Sequence, residues 1–401
     1  MIVQRFLSWV QNAPAGARAE ATGALARAWL HSDLGDRDRD DAEIALTSML
    51  DDPSPLVRRC LAEAFAGSRE APPHCVAALA RDQSDIAAVV LARSPLLSDA
   101  DLVDCAGAGD VFAQSAVALR PGLSAAVATA LTEVGYRETL ISLAVNPAAD
   151  VPESALRRMI ERFGDDGEMR EAILARPGLS SGLRAELVRA TASALADFVV
   201  ARAWMPEHRA SRMAREEIEK GAVAIAVLRE DGEGAPELEL AASLRRAGLL
   251  TPALALRAAL SGARGFFIAL LAELSGLDAA RVAGLVNRPG GSGFAALCAR
   301  AKLPASLVPA FAAALETPGD GESGRLSRAA VSRVRRVCEA ASDVPGALKT
   351  ALRNLEIEAV REEARRARTA SFALASEAAP TPAAPPVITI DFQAIEAQLA
   401  A

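Results

Sequence analysis

Apolar residues recur at three- and four-residue steps along most of this chain, and prolines interrupt them at almost regular intervals. Ile44, Leu46, Met49 and Leu50 form one apolar face. Asp51-Asp-Pro-Ser-Pro55 interrupts it, and Leu56, Val57, Cys60, Leu61, Ala64 and Phe65 resume the spacing. Such a pattern predicts pairs of amphipathic helices. Arg120-Pro-Gly-Leu-Ser124 returns as Arg176-Pro-Gly-Leu-Ser180, with looser copies at Ser94-Pro-Leu-Leu-Ser98 and Asn146-Pro-Ala-Ala-Asp150. The prolines at 95, 121, 147 and 177 step by 26, 26 and 30 residues, a period that predicts stacked helical repeats. Each proline pushes the residue before it out of the α region and so ends a helix. Ser98, Ser124, Asp150 and Ser180 then stand where the next helix needs an N-cap. The predicted pairs are 73–82 with 85–93, 98–107 with 110–119, 123–133 with 136–145, and 151–163 with 168–175.

The pattern divides the chain. Residues 1–40 read as capping helices that close the end of a core. Residues 41–190 hold the short repeats, and residues 191–316 a second helical module. A longer apolar helix over 183–203 runs through Leu183, Leu187, Leu195, Phe198 and Val199, and Trp204-Met-Pro206 breaks it. Residues 317–324 are a Gly-rich linker. Residues 325–376 form a basic helix followed by a long polar one. Residues 377–386 are an Ala/Pro-rich tether, and residues 387–401 a tail with renewed apolar patterning.

Composition sharpens this into an all-α expectation. Hydrophobic residues make up 51% but aromatics only 4%, so the core is built from Ala, Leu, Val and Ile. Ala and Leu are strong helix formers, whereas strands draw on β-branched and aromatic residues. The mean hydropathy of +0.18 reflects alanine, and no apolar run is long enough to cross a bilayer. The N-terminus lacks the pattern of a secretory signal. Five scattered cysteines without a C-x-x-C point to reduced thiols and a cytoplasmic protein. A net charge of −7 argues against nucleic acid as a partner.

The string Asp52-Pro-Ser-Pro-Leu-Val-Arg58 resembles the turn inside a HEAT repeat. In that family an Asp in the turn and an Arg six residues later form a ladder between units, and Asp52 and Arg58 match it. Ala88 and Ala116 stand where later rungs would be, so the ladder is expected to be degenerate. Over residues 40–316 the order of phrases resembles an uncharacterised bacterial family with HEAT-like repeats. The resemblance implies a HEAT-like α-solenoid of short helix pairs followed by a second helical module, and it implies no activity.

The chain offers no catalytic, cofactor or metal constellation. Asp36, Asp38 and Asp40 alternate as in a calcium loop, but the sixth and twelfth positions are Asp41 and Thr47, where Gly and Glu are required. His31, His74 and His208 are isolated. Gly290-Gly-Ser-Gly293 is followed by Phe294, where a nucleophile elbow needs Gly. Two features suggest binding. Arg333, Arg335 and Arg336 form a candidate anion-binding cluster, although acids on the following helix offer them partners. Ile388, Ile390, Phe392, Ile395 and Leu399 give the tail an apolar face for a protein partner, for self-association, or for return onto its own solenoid. The expected function is therefore a non-enzymatic protein-binding scaffold or adaptor. A HEAT-fold enzyme of glycosylase or lyase type and a bacterial signalling regulator are the alternatives.

Overall fold

Most short helices of the first half start at a proline or at an acceptor side chain. The computed structural model describes residues 2–228, 236–316, 325–340 and 346–377. Among them every extended regular element is a helix. The first twelve are α1 (Ile2–Val10), α2 (Ala15–His31), α3 (Asp36–Ser48), α4 (Pro55–Phe65), α5 (Pro73–Leu79), α6 (Ser84–Arg93), α7 (Asp99–Ala108), α8 (Val111–Ala118), α9 (Ala125–Val134), α10 (Arg137–Val145), α11 (Glu153–Phe163) and α12 (Gly167–Leu174). The expected linker 317–324, most of the tether 377–386, and the tail with Ile388, Ile390, Phe392, Ile395 and Leu399 lie outside the described residues.

The even-numbered helices α2, α4, α6, α8, α10 and α12 pack in sequence as one row, and α7, α9 and α11 as a second. Helices of ten residues are marginal alone and depend on burying an apolar face. Here that face is shared between rows: Leu61, Phe65, Ile86, Val90, Val127, Leu131, Leu140 and Met159 are completely buried. Each such side chain contributes about 1.5–3 kcal/mol on leaving water.

The helix starts follow the sequence pattern closely. Ser98 and Asp101 form a reciprocal capping box, and the hydroxyls of Ser124 and Ser180 accept from the Val127 and Leu183 amides. Asp110 and Asp166 cap α8 and α12 in the same way. Asp150 departs from the expectation. Val151 precedes Pro152 and is held extended, so α11 begins only at Glu153, and the Asp150 amide donates to Leu123 O at 2.9 Å instead. Gly122 and Gly178 take φ of 67° and 69°, which explains the Pro-Gly step in the two close copies of the motif.

The joints between units use guanidinium and amide groups. Arg18 holds Asp52 through two bonds of 2.8 Å, and Arg58 reaches across to Asp82 and also donates to Asp52 O. Beyond these two rungs helix-end carbonyls join the carboxylates as acceptors, while Arg137 still reaches Asp166 and Glu168, and Arg157 reaches Glu186. Arg120 donates to Leu91 O and Ser94 O. Asn146 donates to Ala118 O and Arg120 O, and Arg176 to Ala144 O, Asn146 O and Ala149 O. A helix leaves its last four carbonyls without intrahelical partners. The residue before each of these prolines supplies the missing donors to the unit before it.

The second half mixes long and short helices: α13 (Ser181–Ala201), α14 (Glu207–Ala226), α15 (Pro236–Arg246), α16 (Pro252–Leu260), α17 (Arg264–Ser275), α18 (Ala279–Val286), α19 (Ser292–Arg300), α20 (Val308–Leu315), α21 (Arg328–Ala340) and α22 (Gly346–Glu377). Helix α13 continues the second row by packing on α11 and pairs with α14. A second core gathers around Phe266, Phe267, Phe294 and Phe311, with the Phe267 and Phe311 ring centroids 5.5 Å apart. Val331, Val334, Leu352 and Leu355 bring α21 and α22 onto this core. Arg257, buried on α16, holds Glu358 of α22 in a two-pronged pair at 2.8 and 3.0 Å. No helix among the described residues is long and apolar enough to cross a membrane.

Candidate docking surface

Helices α13 and α14 form an antiparallel hairpin that both cores support at one end only. Leu183 and Leu187 of α13 belong to the first core, and Ala222 and Val223 of α14 to the second. From residue 191 to residue 209 no side chain is buried. The hairpin therefore projects beyond both cores. Its sequence does not match a solvated element. Leu195 is 62% exposed, Met213 47% and Trp204 67%, and Leu174 of the neighbouring α12 is 57% exposed.

Leu174, Leu195 and Met213 border a groove of about 710 Å³ between α12, α13 and α14. Leu187, Val188, Leu195 and Val199 form one wall, and Met205, Met213 and Ile225 the other. Arg170, Arg184, Glu171 and Glu217 stand at its rim. A contiguous exposed apolar surface of this kind, edged by charge, is the usual mark of an interaction site. The methionines add side chains that reshape to fit a partner.

The hairpin turn carries an aromatic group. Ala203 adopts φ of 55°, and the Trp204 amide returns to Val199 O at 3.0 Å. That left-handed residue is normally Gly. It sets Trp204 edge-on to Phe198, with centroids 5.7 Å apart, and the Arg202 guanidinium lies 4.4 Å from the Phe198 ring. Exposed Trp and Arg together are the residue types that dominate binding energy in interfaces.

A second, charged cleft of about 660 Å³ separates α14 and α16 from α22. Glu219 accepts from Thr251 Oγ1 at 2.8 Å, and burial raises its pKa above the ordinary carboxylate value. Lys220 bridges Glu217 at 2.7 Å and Glu358 at 3.9 Å. Glu217 thus borders both the charged cleft and the apolar groove.

The basic cluster singled out from the sequence lies on α21. Arg335 pairs with Glu339 and with Glu356 of α22, Arg325 with Glu362, and Arg328 with Glu363. Arg333 and Arg336 are exposed on the same helix, beside a shallow depression with Val337 and Ala340. Exposed pairs of this type contribute about 0–1 kcal/mol each, and they occupy much of the charge that an anion would need. His74 lies 2.8 Å from Thr47 Oγ1. Among the described residues no three His, Cys, Asp or Glu side chains gather into a metal-binding group. Burial raises all five cysteine thiols, Cys298 to about 11, which leaves them protonated and weakly nucleophilic. The apolar groove was the feature that periodicity did not single out. Leu195, Phe198 and Val199 carry ordinary helical spacing, and spacing alone does not tell a covered face from an open one.

A family model described as "Uncharacterised protein conserved in bacteria (DUF2336)" matches residues 86–344. No curated protein and no solved structure matches the chain.

Proposed function

The chain belongs to this bacterial family, and we propose that it is a non-enzymatic, cytoplasmic protein-binding scaffold. On this reading the two rows of short helices are a HEAT-like α-solenoid. The working surface is the groove of α12, α13 and α14. One observation carries the proposal: a projecting helical hairpin leaves Leu195 and Met213 open in an apolar groove, with Phe198 and Trp204 exposed near its turn. The groove takes an amphipathic helix, whose apolar side chains at three- and four-residue spacing fill it while its polar face meets the charged rim.

The test is a photo-cross-linking residue placed at position 195 of the full chain in cells, with a control at exposed Glu133 on α9. The proposal expects cross-links from position 195 that map to one defined segment with amphipathic helical spacing. Leu195 is exposed, so the replacement leaves the fold intact. Cross-links no more abundant or specific than those from position 133 would overturn the reading.

A further inference from the structure

We propose that the segment occupying this groove is residues 387–399 of the same chain, folded back on its own hairpin. This rests on the docking reading above and names its ligand. Three observations converge on it.

The first is apolar fit. Phe392, Ile395 and Leu399 fall at spacings of three and four, the spacing of one helix face. Ile388 and Ile390 extend the apolar content toward the tether. A groove lined by Leu, Val, Met and Ile side chains is the surface such a segment requires.

The second is charge. The tail carries Asp391 and Glu396, and no Lys, Arg or His follows Arg368 in the chain. The projecting part of the hairpin is the reverse: between residues 188 and 215 it holds Arg189, Arg202, Arg209, Arg212 and Arg215 against Asp197 and Glu207, whereas the base of the hairpin, with Glu186, Glu216, Glu217 and Glu219, brings the two helices close to balance. Partners of opposite charge are steered together and held in register.

The third is reach. Helix α22 contacts the hairpin where Glu358 meets Lys220, beside Glu217 on the groove's rim. From Glu358 to the helix end at Glu377 is about 28 Å at 1.5 Å per residue. Residues 378–387 contain Pro380, Pro382, Pro385 and Pro386, and a Pro-rich stretch of ten residues spans about 31 Å. The tether is therefore long enough to bring the tail back to the level of the groove in whichever direction α22 points. A tail tethered this closely faces its groove at an effective concentration in the millimolar range. The groove is then self-capped, and a foreign segment binds by displacing residues 387–399.

The experiment is hydrogen–deuterium exchange on three full-length proteins: wild type, Phe392→Asp with Ile395→Asp, and Leu195→Glu with Met213→Glu. All four substituted positions lie at exposed groove sites or in the tail, and circular dichroism verifies the fold of each variant. In wild type, amides of residues 390–399 and of the hairpin around 192–214 exchange at least tenfold more slowly than in the tail variant. The groove variant releases residues 390–399 to the same extent. Exchange of 390–399 at the rate of an unstructured peptide in wild type overturns the inference, and so does protection that survives the groove variant. Protection that rises with protein concentration, together with a dimer mass by light scattering, assigns the tail to a second copy and overturns the intramolecular form. If the tail is unprotected while position 195 cross-links to another protein, the scaffold reading stands and this inference alone fails. If neither signal is found, both fail.

Discussion

Arg176 donates from Nη1 to the carbonyl oxygen of Asn146, 3.0 Å away, and the two residues hold the same place in successive repeats. Each precedes the proline that ends its unit. Asn146 repeats the gesture toward Ala118 and Arg120, and Arg120 toward Leu91 and Ser94. The motif that marks the repeat boundary is therefore also the joint that couples each unit to the one before.

Arg176→Ala should destabilise the protein by about 2–3 kcal/mol, because it strips charged donors from several helix-end carbonyls at once. Arg176→Lys should recover only part of this, since an ammonium lacks the planar fork that serves carbonyls side by side. Arg336→Ala, at an exposed position, should change stability by no more than about 0.5 kcal/mol. Urea denaturation followed by circular dichroism measures all three.

Two backbone positions should respond with opposite signs. A side chain at Gly122 would meet open space, so the cost of Gly122→Ala is purely that of holding φ at +67°, about 1 kcal/mol. Ala203 already bears that cost at φ 55°. Ala203→Gly should raise stability by about 0.5–1 kcal/mol. Thermal unfolding of the two variants beside wild type reads both shifts.

Two carboxyls should give opposite pH dependences. Hydrogen bonding from Arg137 lowers Asp166 to about 2. Its contribution is present above the ordinary value of 3.8 and is lost as pH falls from there toward 2. Asp166→Asn keeps an N-cap but loses the ion pair, so its deficit at neutral pH should shrink through that window. Glu219 is raised by burial, so its ionised form is penalised in the folded state. That penalty is absent below the ordinary value of 4.5 and develops as pH rises through the raised one. Glu219→Gln should therefore raise the melting temperature at about pH 7 and have no such effect near about pH 4.

Much of the fold is legible because helix ends use a small chemical vocabulary. Pro95, Pro121, Pro147 and Pro177, with Ser98, Ser124 and Ser180, place most of the short helices within a few residues. Asp150 escaped because Pro152, two positions on, delays the start of α11. The joints were less visible. Arg58 and Asp82 are both marked residues, whereas the acceptors of Arg120 and Arg176 are backbone carbonyls, which every residue has. The groove was least visible of all. Leu183, Leu187, Leu195 and Phe198 share one apolar helix, yet the structure buries the first pair and exposes the second. Which of them is covered depends on where the neighbouring helices stop.

The groove substitutions should separate binding from folding. Leu195→Glu and Met213→Glu replace exposed apolar side chains, so each should shift stability by no more than about 0.5 kcal/mol in thermal denaturation. A large loss of stability would mean that the hairpin is packed in a way its exposure does not indicate.

The most direct measurement is fluorescence anisotropy of a labelled peptide of residues 387–401, titrated with full-length protein whose own tail carries Phe392→Asp and Ile395→Asp. The account predicts saturable binding that falls at least tenfold when Leu195→Glu and Met213→Glu are added. Absence of saturable binding, or binding that the two groove substitutions leave unchanged, would contradict it.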